Sequence, residues 1–310
     1  MMRPRLGRAC GGMAIAWTLF AGSLAAQRSQ GMVSLEDATI FYETVGSGDP
    51  IVVVHGGPGL DHTYLQPGLD ALGNRFELVY YDQRGTGRSS AELNPEAIHI
   101  DAFVRDIEAL RESLGHERIT VLAHSFGSLI GLRYAMAHPE RAHALILMNP
   151  VEPGTRFQQQ TNERLQARMV PEDQEALDQL RSSEAFEARD PGTLSEIYRV
   201  AFRPILRDRT RIDELTVDLA ASTAQNGQDV ARLLGQSLGM VDWWDQLGAL
   251  ETPTLVLHGR YDAPPVEMGQ ALAEALPAGT FEVLDTGHFP FMEDRDAFLA
   301  AVSGFFATVR

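Results

Sequence analysis

Three features of the sequence predict an α/β fold with a mostly parallel sheet covered by helices on both faces. Near-continuous apolar runs at residues 51–54, 76–81, 119–123, 144–148, 253–258 and 281–284 read as strands buried on both sides. Helical patterns separate them, the clearest at residues 98–114. From Asn149 to about Leu250 the strand signal stops and a polar, Gln-, Glu-, Arg- and Ala-rich helical stretch takes over. Such an insertion is placed as a cap over the carboxyl ends of the strands, where ligands bind in open α/β sheets.

Taken in order, residues 1–26 carry Arg3, Arg5 and Arg8, then an apolar run from Met13 to Leu24, then small residues. This is the pattern of a secretory signal peptide, with Ser23, Leu24, Ala25 and Ala26 offering the cleavage site; the apolar run is short for a membrane span. An exported protein, periplasmic or secreted, with no stable span after cleavage, is therefore expected. The first core segment is residues 27–148: two short strand-like pieces from Val33 onward, the clearer at 39–45, a turn through Gly46-Ser47-Gly48-Asp49-Pro50, then the buried strands. The cap occupies 149–250, broken at Pro171, Pro191-Gly192, Pro204 and Asn226-Gly227, and residues 251–310 complete the core. An eight-stranded sheet with the cap after the sixth strand is the predicted architecture.

Composition removes several chemistries. At 310 residues, 44% hydrophobic and 22% charged, the chain fits one large core with an insertion. No lysine occurs, so all 26 basic residues are arginines; Schiff-base catalysis, a lysine-bearing phosphate loop and a Ser-Lys dyad are excluded. The only cysteine is Cys10, which leaves the rest of the chain without a disulfide framework or a cysteine metal site. No histidine pair has the helical spacing of a zinc hydrolase. A net charge of −16 argues against nucleic acid and favours steering of cationic ligands.

The most informative stretch is Val121-Leu122-Ala123-His124-Ser125-Phe126-Gly127, a strand running into a sharp turn with Ser125 at its apex. A turn that exposes a serine above a sheet needs small residues two positions either side, here Ala123 and Gly127. Helical spacing then resumes, which puts Ser125 at a helix N-terminus favourable to an oxyanion. A serine hydroxyl needs an imidazole to take its proton and a carboxylate to hold that imidazole. Asp262, just beyond one strand, and His288, just beyond the next, supply both, in the order Ser, Asp, His. His55-Gly56-Gly57-Pro58-Gly59 offers Gly57 N–H as one oxyanion donor, with Phe126 N–H as the other. His124 and His258 flank these segments and read chiefly as structural hydrogen-bonders.

Together with Asp82-Gln83-Arg84-Gly85-Thr86-Gly87-Arg88-Ser89, these motifs resemble the proline iminopeptidase branch of the α/β-hydrolases over most of residues 33–310. The resemblance implies an α/β-hydrolase fold, a Ser125-Asp262-His288 triad, an oxyanion hole at Gly57 and Phe126, a cap at 149–250 and no cofactor. It implies an aminopeptidase releasing N-terminal proline or a similar small residue from short peptides. The elbow departs from the Gly-Gly-Ser-Trp-Gly usual in true proline iminopeptidases, so an esterase or other small acyl hydrolase is the alternative, and a non-catalytic ligand-binding protein a third. Family members hold the free amino terminus with acidic residues, mostly from the cap; Gly56, Glu152, Glu196 and Glu214 are the substrate-side candidates here. Residues 197–204 and Trp243-Trp244 are expected to give the cap an apolar face, and Asp82 and Arg84 to brace the loops around the elbow.

Overall fold

A computed structural model describes residues 28–309. Residues 1–26, for which the sequence suggests a signal peptide, lie outside the described residues, Cys10 among them. The strands are β1 (Arg28–Ser34), β2 (Ala38–Gly46), β3 (Asp49–Val54), β4 (Phe76–Tyr81), β5 (Ser90–Ala91), β6 (Ile119–His124), β7 (Ala142–Met148), β8 (Thr254–Gly259) and β9 (Gly279–Leu284). They form one sheet in the order β1-β2-β4-β3-β6-β7-β8-β9, with the two-residue β5 paired to β2. Pairings β1–β2 and β2–β4 are antiparallel; those linking β4, β3, β6, β7, β8 and β9 are parallel.

The burial of these strands follows their composition. All of Ile51 to Val54 and every residue of β6 and β8 are buried, as parallel strands covered on both faces must be. One face packs on the helices Ile100–Ser113, Gly127–Ala137 and Val266–Ala275, through Phe103, Ile107, Ile130 and Leu272. The opposite face packs on the helix Arg295–Thr308 through Phe298, Val302 and Phe305. Burying each such side chain contributes roughly 1.5–3 kcal/mol. The edge strand β1 begins at Arg28, earlier than the sequence predicts, because its first residues are polar and exposed while only pairing with β2 makes them a strand. The ninth strand, β5, is likewise too short to leave a periodic signal.

Between β7 and β8 no strand occurs among the described residues. The segment holds the helices Gln158–Arg168, Pro171–Arg181, Glu184–Glu187, Pro191–Phe202 and Ala221–Leu238, with a small core of its own around Leu177, Leu194, Ile197, Val200 and Ala224. Among the described residues no helix is long and apolar enough to cross a membrane.

Candidate active site

Ser125 sits where β6 turns into the helix Gly127–Ala137, with φ at +55°. That left-handed conformation is costly for a residue with a Cβ, of order 1–3 kcal/mol. It is held by Ser125 N–H donating to Met148 O at 3.0 Å and by close packing beneath. A Cβ at Gly127 would fall 2.6 Å from the carbonyl oxygens of Val54 and His55, so only glycine lets the elbow lie on the end of β3. At the other flank, Ala123 faces Gly131, where an added Cβ would come within 3.0 Å of the alanine methyl. The extra methyl of Ala123 is thus accommodated by the missing side chain on the following helix.

His288 follows β9 and Asp262 follows β8, and the two meet: His288 Nδ1 lies 2.8 Å from Asp262 Oδ2. Asp262 is fully buried, and its other oxygen accepts from Ala263 N–H at 2.7 Å. Burial by itself raises the pKa of this carboxyl, but the adjacent His288 and the hydrogen bonds from His288 and Asn149 outweigh it and hold it below its ordinary value. His288 and Ser125 line one pocket with Gly57, Leu60, Tyr64, His124, Tyr198, Phe202 and Phe289. Its space for water is about 40 Å³.

Gly57 N–H and Phe126 N–H donate to no group among the described residues, whereas Gly56 N–H is taken by Tyr64 Oη at 2.7 Å. Tyr64 in turn lies 2.7 Å from His124 Nδ1, and His124 Nε2 lies 2.9 Å from the carbonyl of His288. Since a carbonyl only accepts, His124 donates from Nε2 and its bare Nδ1 accepts from the Tyr64 hydroxyl. Burial, reinforced by the neighbouring His288, pushes the His124 pKa down to about 3. The residue before the elbow serine therefore links the glycine loop to the His288 turn as a neutral imidazole.

The substrate-side glutamates go elsewhere. Glu152 accepts from Phe157 N–H and from Trp244 Nε1 at 2.8 and 3.3 Å. Glu196 faces Arg199 and Arg203 at 3.7 and 3.8 Å, and Glu214 pairs with Arg211 at 2.7 Å. None lines the Ser125 pocket. Of the apolar cap residues, Tyr198 and Phe202 do reach the pocket, while Trp244 packs against Phe157 instead. Asp82 and Arg84 brace loops but not one another. Asp82 accepts from His62 Nδ1 at 2.6 Å and Arg88 N–H at 2.7 Å, while Arg84 makes a bidentate pair with Asp106.

Asn149 and Tyr64 were not among the sequence candidates. Asn149, immediately after β7 and at φ +48°, donates from Nδ2 both to Asp262 Oδ2 at 2.7 Å and to Gly287 O at 2.9 Å. A lone asparagine at a strand end is the only sequence signal it leaves.

The profile of the alpha/beta hydrolase fold family matches residues 49–295. The chain belongs to that family. Among its curated relatives is a proline iminopeptidase of Heyndrickxia coagulans, 24% identical over 274 residues, covering 86% of this chain and 94% of the relative. Solved α/β-hydrolase structures superpose over nearly the whole chain. A thermophilic esterase from Thermogutta terrifontis gives a TM-score of 0.67 at 26% identity, covering 92% of this chain and 99% of that one. The proline iminopeptidase of Mycobacterium smegmatis gives 0.66 at 22% identity, over 90% and 98%. The hydrolase fold expected from the motifs is thus the fold of this chain, and its relatives include both peptide and ester hydrolases.

Proposed function

We propose that this α/β-hydrolase is a serine hydrolase that releases small apolar acyl groups through a covalent intermediate on Ser125. One observation carries the reading: the Asp262 contact occupies His288 Nδ1, which leaves Nε2 for the pocket that also holds Ser125 and the unused N–H groups of Gly57 and Phe126. In this mechanism His288 Nε2 takes the Ser125 proton as Oγ bonds to the substrate carbonyl carbon. The oxyanion is received by Gly57 and Phe126 N–H, and Asp262 stabilises the imidazolium. The tetrahedral species collapses as the bond to the leaving group breaks and His288 returns the proton to it. Water, deprotonated by the same imidazole, then attacks the acyl-enzyme and frees Ser125.

The pocket favours a neutral acyl group, as in a simple ester, over one that carries a free ammonium. Its walls are aromatic or aliphatic, Tyr64, Tyr198, Phe202, Phe289 and Leu60, and no carboxylate lines it. Tyr198 also lines an adjoining cap cavity with about 260 Å³ of space for water, which suits the larger part of the substrate. The aminopeptidase reading is supported by the likeness to proline iminopeptidases and by Asp61 and Asp218, which line a small space sharing Leu60, Tyr64 and Phe202 with the serine pocket. The arginine-bearing apolar stretch at residues 1–26 supports export as the setting for either activity.

The test is a side-by-side assay of a short-chain aryl ester, a proline arylamide and its N-acetylated analogue. Preference for the ester is the expected result. Cleavage of the free-amine arylamide alone would establish the peptidase reading instead. No turnover of any of the three, with no labelling of Ser125 by a fluorophosphonate, would overturn serine catalysis.

A further inference from the structure

The backbone around His288 is held from outside its own strand. Three consecutive N–H groups are spoken for: Gly287 donates to Glu293 Oε2 at 3.0 Å, His288 to Ile205 O at 2.9 Å, and Phe289 to Glu293 Oε1 at 3.1 Å. Glu293 Oε2 also accepts from Arg207 N–H at 2.8 Å. Peptide groups are planar, so fixing the planes before and after His288 pins both of its backbone dihedrals. The apposition is tight: a Cβ on Gly287 would lie 2.3 Å from Ile205 O and 2.6 Å from Arg207 N.

Glu293 itself has no ion pair among the described residues. Arg211 spends its guanidinium on Glu214 and on the carbonyls of Met292 and Glu293, and that of Arg207 is spent on Asp285. The carboxylate is satisfied by backbone N–H groups alone, so its contribution is to geometry rather than to charge pairing. Its cap-side partner Arg207, and Ile205, whose carbonyl takes His288 N–H, follow directly on the helix Pro191–Phe202, and two residues of that helix, Tyr198 and Phe202, are pocket walls.

We propose that Glu293 is a positioning residue: it sets the His288 imidazole toward Ser125 and couples that setting to the cap segment 205–207. The proposal rests on the reading of Ser125 and His288 as nucleophile and base. The same four hydrogen bonds tie the segment that follows the pocket-wall helix to the backbone of the base. Cap position and base alignment thereby change together.

The experiment uses the full chain and three variants, Glu293→Gln, Glu293→Asp and Glu293→Ala, with a short-chain aryl ester and a fluorophosphonate. Glutamine keeps one acceptor but turns an NH₂ toward N–H donors, and aspartate is too short to span both flanking groups. For Glu293→Gln and Glu293→Asp the expected result is a kcat loss of about 10-fold or more, with KM changed less than about threefold and the phosphonylation rate of Ser125 falling in parallel. For Glu293→Ala, added formate restores part of kcat by refilling the carboxylate position. Wild-type kcat in folded Gln and Asp variants overturns the proposal, as does a loss that tracks only the unfolded fraction measured by circular dichroism. A wild-type chain that neither turns over ester nor takes the label overturns the serine reading along with it.

Discussion

Asn149 and His288 donate to the same oxygen of Asp262, at 2.7 and 2.8 Å. Because the Asn149 amide also reaches the Gly287 carbonyl, one NH₂ group fastens the turn bearing the carboxylate to the turn bearing the imidazole. Replacing it by alanine leaves Asp262 with one donor fewer in a fully buried position, a loss of about 1–3 kcal/mol for a charged acceptor. Asn149→Ala is therefore expected to lower kcat/KM of the ester about 10-fold or more while the circular dichroism spectrum is retained. Asn149→Asp is expected to lose more, since it sets a second carboxylate against the first. Unchanged kinetics in both would mean that Asn149 only shapes the backbone at the end of β7.

The strain at Ser125 makes a second prediction. At φ +55° the serine Cβ is disfavoured, and glycine is the residue that relieves it. Ser125→Gly should unfold at higher urea than the wild type, by about 1 kcal/mol or more, while losing several orders of magnitude in turnover. Ser125→Ala should lose the same activity without the gain in stability, because alanine keeps the Cβ. A glycine variant no more stable than the alanine variant would show that the elbow conformation is not strained.

These two residues mark what the sequence reveals and what it hides. Ser125, Asp262 and His288 are legible because each follows a strand with an apolar run, fully buried in β6 and β8 and buried only at Leu284 in the edge strand β9, and strand ends in a parallel sheet converge on one edge whatever the intervening chain does. The glycine loop is legible for the same reason. Asn149, Tyr64 and Glu293 are not: their roles arise from contacts made across the fold, and nothing in their local sequence distinguishes them from ordinary polar residues. Glu152, Glu196 and Glu214 lie away from the Ser125 pocket for a related reason. A helical cap rich in arginine offers every glutamate several partners, and only the packing of its helices decides which it takes. Strand β1 is half visible in the sequence because its outer residues are polar and its pairing, not its pattern, makes it a strand.

Acid should unfold this protein through its buried imidazoles. His124 is held neutral by burial with a pKa pushed down to about 3, and burial likewise lowers His55 and His258. In the unfolded chain each regains the ordinary histidine value of about 6.5. Between the two values the unfolded state binds more protons, so stability rises with pH and is lost as pH falls from about 6.5. For His124 the slope approaches about 1.4 kcal/mol per pH unit well below 6.5, and His55 and His258 add to it in the same sense. Urea unfolding from pH 7 to pH 4.5 measures the slope, and His124→Gln should reduce it by one proton's share. A flat profile across that range would contradict the neutral relay through Tyr64 and His124.

The Arg84–Asp106 pair tests the other structural use of charge in the core. Both side chains are fully buried, joined by Nε–Oδ2 and Nη2–Oδ1 contacts of 2.9 and 2.7 Å, and Arg84 reaches on to Asp37 and the Ala97 carbonyl. Removing the guanidinium strands a carboxylate where water cannot reach it, which typically costs about 3–5 kcal/mol. Burial pushes the Asp106 carboxyl above its ordinary value even with Arg84 beside it, so without Arg84 the native state should bind a proton there that the unfolded chain releases. The stability that Arg84→Leu loses relative to the wild type should accordingly grow as pH rises from 5 to 8, the opposite sense to the histidine slope. In the double variant Arg84→Leu with Asp106→Leu the pH-dependent part of the loss should disappear, and much of the stability should return, because no buried charge is left to solvate. If the double variant were as unstable as the single at every pH, the damage would lie in lost packing and in the freed Asp37 and Ala97 contacts rather than in the unpaired carboxylate.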